Sequence, residues 1–234
     1  LSQSRGVPCT ANQIILGPSA EYLLSILLQL VEDPTVIGIE DPGYTGFNSL
    51  FKRLNKETVP VPLDEMGADI QTLAETNTNL MIVTSNHQFP TGSIMPLSRR
   101  QELLEWANQN KHRYIVENDY DSEFKYSGVP IPALKYLDEK NKVIHLGSFT
   151  RVLSPGIRIS YMVLPETLLE VYHSKFQSQS APLSTFEQWV IRDFINEGHF
   201  TTHLNRSRTF YKKKREFLIQ TLYQLDPDAE IYGE

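Results

Sequence analysis

The sequence predicts an α/β fold: a mostly parallel sheet flanked by helices, with a long helix leading toward a second, smaller domain. Three observations predict it. Short apolar runs rich in β-branched residues alternate with segments whose apolar residues recur at helical spacing. The residues just after the runs are rich in glycine, proline and polar groups, as expected where strands end. From Glu166 onward the strand-like runs stop and only helical patterns remain.

The elements follow in order. "QIIL" reads as a strand and "AEYLLSILLQLVED" (Ala20–Asp33) as a helix, because its apolar residues fall on one helical face. "TVIGIE" (Thr35–Glu40) is a short β-branched strand, "GYTGFNSLFKRLN" a helix and "TVPVPL" a strand. "DIQTLAETN" is helical, and "LMIVTS" (Leu80–Ser85) is a buried strand. "SRRQELLEWANQN" opens on Ser98, whose hydroxyl suits an N-cap, and then runs helical. "RYIVEND" (Arg113–Asp119), "KVIHLGSF" and "IRISYMVL" are further strands. "ETLLEVYHSKF" and "STFEQWVIRDFINEG" are helices, and "HFTTHLNRSRTFYKKKREFLIQTLYQL" makes one helix of about seven turns. The expected division is a large α/β domain over 1–165, a helical extension and interdomain helix over 166–224, and the start of a small domain over 225–234. The chain starts on Leu and stops on "IYGE" just after a helix, so it reads as a segment of a longer protein lacking material at both ends.

Composition narrows the function classes. Of 234 residues, 40% are hydrophobic and 21% charged, ordinary for a globular protein with a real core. A net charge of -6 argues against a broad basic face for nucleic acid. The exception, "KKKR" at Lys212 to Arg215, points in several directions on a helix and reads as a solvated face. A single cysteine, Cys9, excludes an intrachain disulfide and fits a reducing compartment, the cytoplasm. No apolar run approaches the ~20 residues of a membrane span.

In parallel sheets ligands sit at the carboxyl ends of the strands, which directs attention to five stretches. In "GPSAEYLL" the free backbone N–H groups of Ser19, Ala20 and Glu21 would form an anion site at a helix start; an ordinary strand-to-helix turn is the alternative. In "EDPGY", Tyr44 either presents its ring to a flat ligand or packs as core. In "NHQFPTG", His87 is a candidate general base or a structural loop residue. "ENDYDSEF" gathers Glu117, Asn118, Asp119 and Asp121, but strand alternation splits them between two faces and no His or Cys accompanies them, so no metal is expected. In "GSFTRVLSPGIR", Ser148, Arg151 and Arg158 suit a phosphate, since guanidinium offers a bidentate fork; surface ion pairing is the alternative.

Taken together and in this order, these motifs resemble the fold-type I enzymes of pyridoxal 5'-phosphate. Those share a Gly-rich phosphate turn, a stacking aromatic, an "NPTG"-like loop, a strand-end aspartate, and "S-x-x-K" followed by arginine. Within them, "EDPGY", "HQFPTG", "NDYDSEFKYSGVPIPAL", "GSFTRVLSPGIRISYMVLP" and "GHFTTHLNRSR" look like the MocR/GabR group of GntR-family bacterial regulators. Members fuse a winged helix-turn-helix DNA-binding domain to an aminotransferase-like domain. The resemblance covers essentially the whole chain. It implies a cytoplasmic homodimer, a DNA-binding domain ahead of Leu1, and a small-molecule effector, either pyridoxal 5'-phosphate or an amino-acid-like molecule. Residue by residue, it implies phosphate contacts at Ser19, Ala20, Ser148 and Arg158, a stacking ring at Tyr44, ring-side positions at His87 and Pro90, and a phenolic-oxygen contact at Tyr120.

Three positions depart from the group's pattern. Asn118 stands where an aspartate would face the pyridine nitrogen, Arg151 where the Schiff-base lysine would stand, and Ala20 where the phosphate turn has threonine. A lysine amine can attack an aldehyde; an arginine stays a cation and cannot form the imine. An aspartate keeps the pyridine nitrogen protonated and the ring an electron sink, which a neutral amide does not do. The missing threonine hydroxyl removes one hydrogen bond, of order ~1 kcal/mol. The expectation is an effector and dimerisation domain with no catalytic residue, binding pyridoxal 5'-phosphate non-covalently or not at all. A working class I/II aminotransferase and a ligand-free scaffold are the alternatives.

Overall fold

The computed structural model describes residues 6–126 and 132–231. Residues 127–131 of the "NDYDSEFKYSGVPIPAL" motif, and 232–234 of the expected small-domain start, lie outside them. After a short 3-10 turn at Ala11–Gln13, the chain runs β1 (Ile14–Gly17), α1 (Ala20–Leu30), β2 (Val36–Asp41), α2 (Thr45–Arg53), β3 (Glu57–Asp64), β4 (Gly67–Ala68), α3 (Ile70–Ala74) and β5 (Leu80–Val83). It continues with α4 (Leu97–Asn108), β6 (Tyr114–Asp119), a 3-10 turn at Leu134–Leu137, β7 (Val143–Ser148) and β8 (Ser160–Val163). Three helices close it: α5 (Glu166–Phe176), α6 (Thr185–Asn196) and α7 (His199–Leu225).

The eight strands form one sheet in the order β1-β8-β7-β6-β5-β2-β3-β4. β3, β2, β5, β6 and β7 are mutually parallel. β8 runs antiparallel to both β7 and β1, and β4 antiparallel to β3. Helices cover both faces because successive strand residues point to opposite sides. Leu80, Ile82, Val116, Ile144 and Leu146 face a core filled by Leu23, Leu24 and Leu27 of α1, Phe47 and Phe51 of α2 and Leu168 of α5. Their strand neighbours Met81, Val83, Ile115 and Val143 face a second core with Leu73 of α3 and Leu103, Leu104 and Trp106 of α4.

The helix starts differ in their chemistry. The Ser19 hydroxyl accepts the Tyr22 N–H at 3.1 Å and caps α1. At α6, Ser184 and Glu187 form a reciprocal capping box. Ser98 is not an N-cap: α4 starts at Leu97, two residues before a Ser98 cap would start it, behind Pro96, whose carbonyl accepts the Arg100 N–H at 3.1 Å. Proline fixes φ near the value this entry needs (φ -68°), so the helix starts where the proline ends.

The chain passes from β2 outward to β3, then returns to β2's other side to lay down β5, β6 and β7 in sequence. The crevice outside the carboxyl ends of β2 and β5 is therefore a topological switch point, where ligands bind in such sheets. α7 is anchored near it: His203 Nε2 meets the Val152 carbonyl at 2.9 Å, the Phe200 ring meets Phe149 edge-on at 6.0 Å, and Tyr211 meets Phe124 at 5.5 Å. Beyond these contacts α7 exposes Phe217, Leu218, Leu222 and Leu225, and α6 exposes Phe186 and Trp189. No helix among the described residues is long and apolar enough to cross a membrane.

Candidate functional site

A cavity of about 200 Å³ opens at the switch point. Its first wall is the turn from β1 into α1. There the Ser19 hydroxyl and carbonyl take the N–H groups of Tyr22 and Leu23. The N–H groups of Ala20 and Glu21 precede the first intrahelical bonds, and at the positive end of the helix they are donors for an anion. Both residues line the cavity with Ser19.

The second wall follows β2 and β5. Gly43 lets the turn close, since a Cβ there would lie 2.2 Å from the Glu40 carbonyl oxygen. Tyr44 then stands on the wall, 43% exposed, its ring edge-on to Phe47 at 5.0 Å and to Phe89 at 6.5 Å. It therefore packs and faces the cavity at once. Burial and then the Glu21 carboxylate, whose Oε1 lies 3.4 Å from the hydroxyl, push the Tyr44 phenol up; Arg151 and Arg158 pull it back. Gln88 ties this wall together. Its amide donates to the carbonyls of Pro42 (2.9 Å) and Phe89 (2.7 Å), and its carbonyl accepts the Thr91 N–H and hydroxyl.

Behind Gln88 sits Glu40, fully buried, with Oε2 accepting the Thr84 N–H at 3.1 Å and Gln88 Nε2 at 3.4 Å. Oε1 has no partner. Burial pushes this carboxyl up to about 8, only partly offset by the Thr84 and Gln88 hydrogen bonds, so at neutral pH it is the protonated acid. A folded-state value raised above the ordinary 4.5 gives a contribution that is complete below the unfolded value and lost as pH rises through about 8. Denaturant unfolding across that range should show the native chain losing stability relative to Glu40→Gln, on the order of a few kcal/mol. Parallel stability curves for the two would contradict this.

The floor is the end of β6. Asn118 lines the cavity, with Nδ2 3.5 Å from the Thr84 hydroxyl. Its neighbours Glu117 and Asp119 point to the other face. There Glu117 accepts from the Ser85 hydroxyl (2.7 Å) and the Leu134 N–H (2.6 Å) and meets His145 Nδ1 at 3.0 Å. Burial alone would push the Glu117 carboxyl up. The hydrogen bond and charge of His145, with Ser85 and Leu134, outweigh it and hold the group at about 2. Tyr120 lines the cavity and donates its hydroxyl proton to the His87 carbonyl at 2.8 Å. Burial and then Asp121 push this phenol up to about 12, against a smaller opposite pull from Arg151.

The last wall is the β7–β8 loop. Ser148 Oγ accepts the Thr150 N–H at 3.2 Å and the Ser160 hydroxyl at 3.2 Å. Arg151 places its guanidinium 5.2 Å from the Tyr120 ring centroid. Among the described residues, neither Arg151 nor Arg158 makes an ion pair or a side-chain hydrogen bond within the chain. Two permanent cations and one carboxylate, Glu21, thus line one small cavity, and its electrostatics favour an anion.

Ser19, Ala20, Tyr44, Asn118, Tyr120, Ser148, Arg151 and Arg158 all line this cavity. His87 does not. With φ at 49°, its ring turns to Asp121, Nδ1 to Oδ1 2.9 Å, and only its carbonyl reaches the site, through Tyr120. Phe47, Phe89, Thr150 and Ser160 also line the cavity, and Glu40 and Gln88 brace it, none of them singled out by sequence reasoning. Gln88 and Phe89 lie inside the quoted "HQFPTG" loop; Phe47 carries only a helix-core signal. Among the described residues no group of three or more His, Cys, Asp and Glu side chains is placed to hold a metal ion.

Donors at the helix start, hydroxyls and Arg158 on one side suit a phosphate ester. Aromatic edges suit a flat ring. Among the described residues no amine nucleophile lines the cavity, and Asn118 brings an amide rather than a carboxylate to its floor.

The sequence pattern of the family "Aminotransferase class I and II" matches residues 1–233. The chain is 41% identical over 235 residues to the HTH-type transcriptional regulator YdeL of Bacillus subtilis (strain 168), covering 100% of this chain and 50% of that protein. It is 32% identical over 220 residues to the probable rhizopine catabolism regulatory protein MocR of Rhizobium meliloti, covering 94% of this chain and 44% of that one. Its fold is similar to the crystal structure of Pyrococcus horikoshii kynurenine aminotransferase in complex with PMP, with a TM-score of 0.85 and 26% identity, over 98% of this chain and 59% of that one. The chain spans about half the length of the curated relatives it matches.

Proposed function

Since the chain belongs to the class I and II aminotransferase family, we propose that it is the effector-binding and dimerisation domain of a MocR-type transcription regulator. Its pocket holds pyridoxal 5'-phosphate, or a phosphate ester like it, without a covalent bond and without transaminase turnover. One observation carries this reading: the Arg151 guanidinium lines the cavity over the Tyr120 ring, at the position that the resemblance to fold-type I enzymes assigns to their lysine. Sequence relatives named as regulators support the regulatory part.

In this reading the Ala20 and Glu21 N–H groups, the Ser19 and Ser148 hydroxyls and Arg158 would hold the phosphate. Tyr44 would flank the ring, Asn118 would serve its nitrogen and Tyr120 its phenolic oxygen. Tyr120 has committed its proton to His87, so it meets the ligand as an acceptor. Pyridoxal 5'-phosphate held by a lysine imine and an aspartate supplies an electron sink for amino-acid chemistry; neither group stands in this pocket. Residues 1–165 form the ligand-holding α/β domain, 166–224 the helical extension, and 225–234 begin a small domain. A winged helix-turn-helix domain ahead of Leu1 contacts DNA, and the assembly is a homodimer in the reducing cytoplasm.

Calorimetry with pyridoxal 5'-phosphate tests the reading. Saturable binding is expected, weakened roughly 10- to 100-fold by Arg158→Ala, as for loss of charge-assisted hydrogen bonds. An absence of heat at millimolar ligand would leave a scaffold without an effector pocket.

A further inference from the structure

The cavity wall that carries Arg151 also bears on which form of the ligand is accepted. Arg151 is exposed to the cavity; among the described residues it lies over the face of Tyr120 and makes no ion pair or side-chain hydrogen bond. It is thus a hydrogen-bond donor without an acceptor and a cation without a counter-ion. The one carboxylate lining the cavity, Glu21, stands at the start of α1, its Oε1 3.4 Å from the Tyr44 hydroxyl, and makes no ion pair with Arg151 among the described residues.

From this arrangement we infer that the pocket sorts the phosphorylated pyridoxine vitamers by the charge of the substituent facing Arg151, accepting the aldehyde and the alcohol alike and disfavouring the amine. The inference rests on the cofactor-pocket reading. In a lysine site the aldehyde is preferred because it forms a bond that the alcohol cannot form. An arginine forms no such bond, so that advantage disappears. What remains is hydrogen bonding and Coulomb energy. An aldehyde oxygen and a hydroxyl oxygen both accept from a guanidinium. The amine form carries an ammonium at neutral pH and meets Arg151 as a like charge. Asn118 reinforces the sorting, because a neutral amide supplies no negative charge to offset a second cation in the ring region. A regulator built on such a pocket would report the combined pool of aldehyde and alcohol phosphates.

The test is to titrate the chain by calorimetry, in phosphate-free buffer, with pyridoxal, pyridoxine and pyridoxamine 5'-phosphates in turn, and to repeat it on Arg151→Gln. The aldehyde and alcohol forms should bind within about threefold of each other and the amine roughly tenfold more weakly. Arg151→Gln, at an exposed position where packing is not at stake, should bring the amine level with the other two. An amine that binds the native chain as tightly as the alcohol would overturn the inference and leave the pocket reading standing. So would a gap that survives in Arg151→Gln. Failure of all three to bind would overturn both.

Discussion

Replacing Arg151 by lysine is expected to turn a pocket that forms no covalent adduct into one that does. After incubation with pyridoxal 5'-phosphate and borohydride, the peptide carrying position 151 in Arg151→Lys should be modified, whereas the native peptide should not. The gain is all-or-none because the two side chains differ in kind. A lysine amine can lose its proton and attack an aldehyde. The guanidinium stays protonated, and its nitrogen lone pairs are delocalised. The surroundings needed for capture are otherwise present: Ser148, Arg158 and the helix start line the same cavity. Turnover should not return with the adduct, because Asn118 still lacks the charge that keeps the ring nitrogen protonated. Modification at other lysines in both proteins would be background, so the comparison is made on that single peptide.

The second large effect is on stability. Arg100 lies in α4 at 1% exposure, and its guanidinium donates to the carbonyls of Met95 (2.9 Å), Pro132 (2.7 Å) and Ser85 (2.9 Å) and to Asn86 Oδ1 (2.9 Å). It joins the loop after β5 to the segment entering the Leu134–Leu137 turn, and so holds one wall of the site. Arg100→Leu keeps the bulk but leaves these acceptors without that donor. Each buried unsatisfied acceptor costs about 1–3 kcal/mol, so a total loss of about 3–5 kcal/mol is expected after relaxation. Denaturant unfolding measures it. A change below about 1 kcal/mol would show that these hydrogen bonds are replaceable by water. Arg100→Lys should recover only part of the loss, since an ammonium cannot span the fork.

The layered core was legible in the sequence because it rests on short-range periodicity. Leu80 and Ile82 against Met81 and Val83 already encode a strand covered on both faces. What escaped was set by particular contacts, near or far along the chain, that leave no periodic signal. Nothing local in "IRISYMVL" says that its strand runs against β7 and β1. The two-residue β4 exists only by pairing with β3. Ser98 has cap chemistry, but Pro96 fixes the backbone first. The site divides along the same line. Ser19, Tyr44, Asn118, Tyr120, Ser148, Arg151 and Arg158 follow strand ends, where sequence order places a ligand. His87 follows one too, yet its ring is turned by Asp121, 34 positions away in the chain. Glu40 and Gln88 gave no signal because their role, bracing the two loops against each other, is purely tertiary.

The central claim is that a phosphate ester can occupy this cavity while Arg151 denies it a covalent bond. A crystal of the chain grown with pyridoxal 5'-phosphate tests it most directly. The account predicts phosphate density against Ser19, Ala20, Ser148 and Arg158, with a clear gap between the ligand's aldehyde carbon and Arg151. Continuous density from that carbon to any side chain of the cavity would contradict it.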